Sequence, residues 1–141
     1  MLIKKIIFTS MFATMIAAPA WAQEVAAFAT TNDLVVVNNT DEDSTAVINN
    51  GACSSKLPNG VGVSHRRTTN HIPGNIVDIA CLANRTRCTA DVYMTNNCSG
   101  PIVAKVIFDT KKGIQDVQPS DQNKYKFTGE TNTFVSQIDY K

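Results

Sequence analysis

The stretch IVDIACLANRTRCTADVYMT, residues 76–95, decides how this chain is read. Two runs of alternating apolar and polar residues flank the polar segment from Asn84 to Arg87, a pattern that predicts two half-buried strands joined as a hairpin. With Asn84 and Arg85 as a two-residue turn, Cys81 faces Cys88, Ile79 faces Ala90 and Val77 faces Val92. Non-hydrogen-bonded cross-strand Cα atoms lie about 4.5 Å apart, within cystine range, so this register favours Cys81–Cys88 and leaves Cys53–Cys98. The pairing Cys53–Cys81 with Cys88–Cys98 stays open, because the same register sets Asp78 against Asp91 and opposed like charges are destabilising. A longer turn with a shifted register would relieve that conflict.

Outward from this hairpin the chain keeps a β character. Short runs rich in β-branched residues are broken by Asn, Gly, Asp and Pro, and they predict strands over 34–38, 45–48, 102–110, 124–128 and 133–140. A further strand near Ile114–Val117 would continue a hairpin across the turn Lys111-Lys112-Gly113. Apolar spacings of three and four do not persist for three turns anywhere after residue 22, so no long helix is expected. The expected fold is all-β: a two-layer antiparallel β-sandwich of seven or eight strands, immunoglobulin-like in outline, with a small β-barrel as the alternative. The sole Trp, Trp21, lies near the N-terminus, so the Cys-Trp-Cys landmark of antibody domains is missing.

Residues 1–22 read as a secretory signal peptide. Lys4 and Lys5 precede an apolar run from Ile6 to Ala18, and Ala20-Trp21-Ala22 offers a cleavage site before Gln23. As a helix that run would reach about 20 Å, short of the roughly 30 Å hydrocarbon core of a bilayer. Cleavage would leave 23–141 as one domain, with an irregular lead-in over 23–32. It would also take Lys4 and Lys5 from 13 basic residues against 12 acidic, moving the net charge from +1 to −1. That balance gives no electrostatic reason to expect nucleic acid or an anionic membrane as partner. Four Cys in an exported chain predict disulfides, and the absence of a Cys-x-x-Cys pair argues against a zinc ribbon or a thioredoxin-type redox centre.

The segment from Asn49 to Asn75 is the longest stretch without an assigned strand, and long ordered loops often carry function. Within it His65, Arg66, Arg67 and His71 gather donors suited to an anion or a sugar, against the plainer reading of solvated loop residues. If residues 61–71 were extended, His65 and His71 would share a face about 20 Å apart, too far to bind one metal together. Asp41-Glu42-Asp43 reads as a solvated acidic turn, without the calcium-loop spacing. Asp78 and Asp91 could form a carboxylate pair for glycoside hydrolysis if they shared a sheet face. No Gly-x-Ser-x-Gly elbow, metal-ligand set or cofactor motif occurs, so no catalytic residue and no cofactor is expected. The Asn-x-Ser/Thr patterns at Asn38, Asn84 and Asn97 read as chance occurrences in a bacterial export route.

The run ADVYMTNNCSG at 90–100, followed by Ile102–Phe108 and the Gly113-Ile114 turn, resembles small secreted β-proteins of intracellular gammaproteobacteria such as Legionella. The resemblance implies periplasmic delivery and onward release by type II secretion. It implies no reaction and no functional residues. The expected protein is therefore an exported, non-enzymatic binding module for an unknown protein or glycan. A small secreted hydrolase or toxin-like effector using Asp78, Asp91 or His65 is the second expectation, and a periplasmic enzyme inhibitor the third.

Overall fold

A computed structural model describes residues 32–120 and 124–141. The predicted signal peptide and most of the lead-in lie outside the described residues. Eight strands form two sheets of four. They are β1 (Leu34–Asn38), β2 (Thr45–Ile48), β3 (Thr68–Ile72), β4 (Cys88–Tyr93), β5 (Ile102–Asp109), β6 (Gly113–Pro119), β7 (Tyr125–Gly129) and β8 (Val135–Tyr140). The first sheet runs β3-β1-β8-β7 and the second β2-β4-β5-β6. All neighbours are antiparallel except β1 and β8. Among the described residues the sheets stay separate, so the fold is a sandwich and no barrel closes.

Alternation builds the interior. Along β4 the side chains of Cys88, Ala90 and Val92 are buried, and Thr89, Asp91 and Tyr93 between them turn to the outer face. Phe127 and Ile138 come from the first sheet, Val106, Phe108 and Ile114 from the second, and together they fill the space between. The β5–β6 hairpin forms across Lys111-Lys112 as expected, with the Asp109 carboxylate accepting the amides of both lysines at 2.8 and 3.1 Å. Gly113, at φ +99°, is required there: a Cβ would lie 2.3 Å from the Thr133 carbonyl oxygen.

The hairpin expected over 76–95 does not form. Residues Gly74–Ala80 are an α-helix, α1, and β4 pairs with β2 and β5 instead. Pro73 caps the start, its carbonyl accepting the amides of Ile76 and Val77. Helical spacing then turns Gly74, Val77 and Cys81 inward and leaves Ile79 66% exposed, where a strand would have buried it, and Leu82 in the turn that follows is 64% exposed. The helix also removes the Asp78–Asp91 opposition that the hairpin imposed. The cystine Cys81–Cys88 still forms, with Cα atoms 5.5 Å apart, but it ties the end of α1 to the start of β4 instead of bridging two strands. Cys53–Cys98 is the second bridge.

The 49–75 segment is more ordered than expected. It holds two short 3-10 turns, Ser54–Lys56 and Pro58–Gly60, and the edge strand β3. Single bridges Val47–Cys53 and Ser44–Ser64 fasten it along the free edge of β2.

Candidate functional site

At one end of the sandwich, the loop after β1 meets the segment before β3. Asn38 is fully buried and organises the junction: its amide donates to the carbonyls of Glu42 (2.8 Å) and Ser64 (3.0 Å), and its Oδ1 accepts from the amide and hydroxyl of Thr40. Burying an amide side chain is affordable only when its polar atoms are paired, and these are. The same burial leaves no room for a glycan on Asn38.

This anchor sets the acidic turn against the basic run. Arg67 Nε donates to Asp41 Oδ1 at 2.8 Å, and Asp43 Oδ1 accepts from the Arg66 amide at 3.0 Å with Arg66 Nε at 3.4 Å. His65 Nδ1 stands 3.7 Å from the same Asp43 oxygen. The Arg67 hydrogen bond holds the Asp41 carboxyl below its ordinary range, and the Arg66 backbone amide does the same for Asp43. The two guanidinium groups remain 65% and 58% exposed. The acidic turn, expected to be merely solvated, is thus the counter-charge of the basic pair.

Two tyrosines extend the surface. Tyr125 and Tyr140 stack with ring centroids 5.9 Å apart, and Lys124 Nζ lies 5.5 and 5.6 Å from the two rings. The Tyr140 hydroxyl accepts from the Asp41 amide at 2.9 Å, while the Tyr125 hydroxyl donates to the Glu42 carboxylate. Burial, reinforced by Glu42, pushes the Tyr125 phenol well above its ordinary range. Sequence reading missed both tyrosines, because their partners lie far off in the chain and no local pattern announces them.

His71 is not part of this cluster. The chain turns at Arg67, whose φ is +57°, so residues 61–71 are not one extended run. His71 sits exposed on β3 opposite Val35, three residues along the strand from Thr68. Asp78 is exposed on α1, whereas Asp91 is on the outer face of the second sheet, 3.8 Å from Lys105 Nζ. The expected carboxylate pair therefore shares no face, and His65 lies at the other end of β4 from α1.

Between the sheets lies a cavity of about 90 Å³. It extends along β2 and β4, from Thr45 at the polar end to Phe108 and Ile114 near α1. Ser54, Leu57 and Gly62 of the 49–75 segment and Val77 and Ala80 of α1 cover its open edge. At ~24 cal/mol per Å³ of unfilled core, space of this size forgoes about 2 kcal/mol of packing.

Two cystines, two four-stranded sheets and a long segment braced along one edge define a disulfide-tied β-sandwich. The chain belongs to the NttC family, described as T2SS substrate NttC, which matches residues 5–135. Membership in this family of type II secretion system substrates makes it a protein that crosses the periplasm and is released outside the cell. The crystal structure of the Legionella pneumophila type II secretion system substrate NttC is similar in fold, with a TM-score of 0.61 at 22% identity, covering 79% of this chain and 100% of that one. No curated protein matches the chain.

Proposed function

We propose that the secreted protein, once residues 1–22 are clipped, is a non-enzymatic binding module whose polar end engages a protein or glycan outside the cell. One observation supports this above others. Three separate segments, 39–43, 65–67 and the paired ends of β7 and β8, are locked into a single exposed surface by ion pairs and tyrosine hydrogen bonds. A surface ordered before contact spends little conformational entropy on binding. Arginine forks beside a stacked tyrosine pair suit carboxylate, sulfate or sugar hydroxyl groups. A hydrolase reading would need Asp78, Asp91 and His65 to converge, and their placement on separate elements gives it no support.

The test is binding of fluorescently labelled mature protein to host-cell surfaces and to arrayed glycans. Replacing Arg66 and Arg67 together by Ala is expected to weaken binding at least tenfold while lowering the thermal midpoint only slightly, as the loss of two exposed ion pairs would, whereas His71→Ala is expected to leave binding unchanged. Equal binding by the Arg66/Arg67 variant would remove this surface from consideration.

A further inference from the structure

The cavity between the sheets is chemically simpler than the surface above it. Its walls are methyl and methylene groups from Ile48, Val92, Val106 and Ile138, and the hydroxyls that reach it are already committed. Ser44, Thr45 and Ser54 donate to the carbonyls of Tyr93, Thr95 and Gly62 at 3.0, 2.8 and 2.6 Å. Ser136 reaches the Val35 carbonyl at 3.5 Å. A polar ligand group entering here would lose its water without finding a partner, so the occupant must be apolar. Apolar cavities stay dry, and one of about 150 Å³ accepts benzene. This one is smaller, about 90 Å³, too little for a ring of that size but enough for the last few carbons of a chain.

We propose that the cavity takes the terminal segment of an unbranched hydrocarbon chain, from a fatty acid or a lipid, admitted at the edge covered by α1. The element at that edge is suited to the task. Val77 and Ala80 face the cavity, while Ile79 on the helix and Leu82 in the turn that follows it stand exposed. Pro73 and the Cys81–Cys88 bridge bound it at either end. A chain passing beneath α1 would meet the apolar side chains of Val77 and Ala80. The inference rests on the reading of the protein as a binding module and adds to its polar end a separate apolar site, roofed by parts of the 49–75 segment and by α1.

The experiment uses the mature, disulfide-intact protein and laurate labelled with ¹³C at its terminal methyl. Intermolecular NOEs from that methyl to Val106 and Ile138 are expected. Ala90→Leu fills the cavity from β4 and Ala46→Leu from β2, so one variant remains if the other fails to fold. Either is expected to weaken laurate binding at least tenfold without lowering the thermal midpoint. A parallel arm measures flotation with phosphatidylcholine vesicles: flotation lost in the filled variants assigns the chain to a membrane lipid, and laurate binding without flotation assigns it to a free fatty acid. Laurate contacts confined to Ile79 and Leu82, or affinity unchanged in the folded filled variants, would overturn the proposal. If laurate fails while Arg66/Arg67-dependent surface binding persists, the cavity inference falls alone.

Discussion

Tyr125 is the side chain whose chemistry departs furthest from its ordinary state. Desolvation and the Glu42 carboxylate both oppose its ionisation, so its folded-state pKa is raised. The stability it contributes is complete below the unfolded phenol value of about 10 and is lost as pH rises beyond it. In an ultraviolet titration of the three tyrosines, one phenol is expected to ionise only as the protein unfolds. Tyr125→Phe should abolish that late step. The carboxylates behave with the opposite sign. Asp41, Asp43, Asp109 and Asp139 are all held below their ordinary range, by Arg67, by the Arg66 amide, by the Lys111 amide and by Asn39 respectively. Their contribution is present above about pH 4 and is lost as pH falls through the lowered values. The thermal midpoint should therefore be level from neutral pH down to about pH 5 and drop below about pH 4, as scanning calorimetry would show. Gly113→Ala, which drives a Cβ into the Thr133 backbone at positive φ, is expected to cost about 2–4 kcal/mol in denaturant unfolding.

At the scale of elements, α1 carries the sharpest test. Its outward residue Ile79, and Leu82 in the turn after it, contribute little burial, so changing either to Ser should alter stability by less than about 0.5 kcal/mol, while Val77→Ala should cost roughly 2 kcal/mol. Had 76–82 been a strand, Ile79 would have been a core residue and its loss expensive. The sequence misleads here for a definable reason. IVDIACL satisfies both a period of two, through Val77, Ile79 and Cys81, and a helical stripe through Val77, Ala80 and Cys81. Pro73 before Gly74 was the signal for a helix start, and the Asp78–Asp91 conflict was the signal against the hairpin. β1 and β2 matched their apolar runs residue for residue, because β-branched clusters bounded by Asn and Asp leave one reading. β3, the polar run TTNHI, lacked any such signature. It is a strand because β1 offers it a ladder, which no local pattern records. The candidate site was legible in half: Arg66 and Arg67 stood out as donors, but their acidic partners lie 23 and 26 residues earlier and the tyrosines farther still.

Over the whole molecule, the cystines hold together what packing alone would leave marginal. The chain-entropy account assigns about 4 kcal/mol to Cys53–Cys98, which closes a separation of 45 residues, and about 2.5 kcal/mol to Cys81–Cys88, which closes 7. Cys53 begins the segment roofing the cavity and Cys98 follows β4, so losing this bridge should loosen the 49–67 cover along β2 as well as lower stability. Cys53→Ser/Cys98→Ser is thus expected to unfold at clearly lower denaturant than Cys81→Ser/Cys88→Ser. The most direct measurement is peptide mapping by mass spectrometry, under non-reducing conditions, of protein collected from culture supernatant. Linked peptides joining Cys53 to Cys98 and Cys81 to Cys88, with Gln23 at the mature N-terminus, are expected. Four free thiols, or peptides joining Cys53 to Cys81 and Cys88 to Cys98, would contradict the fold and the binding surfaces built on it.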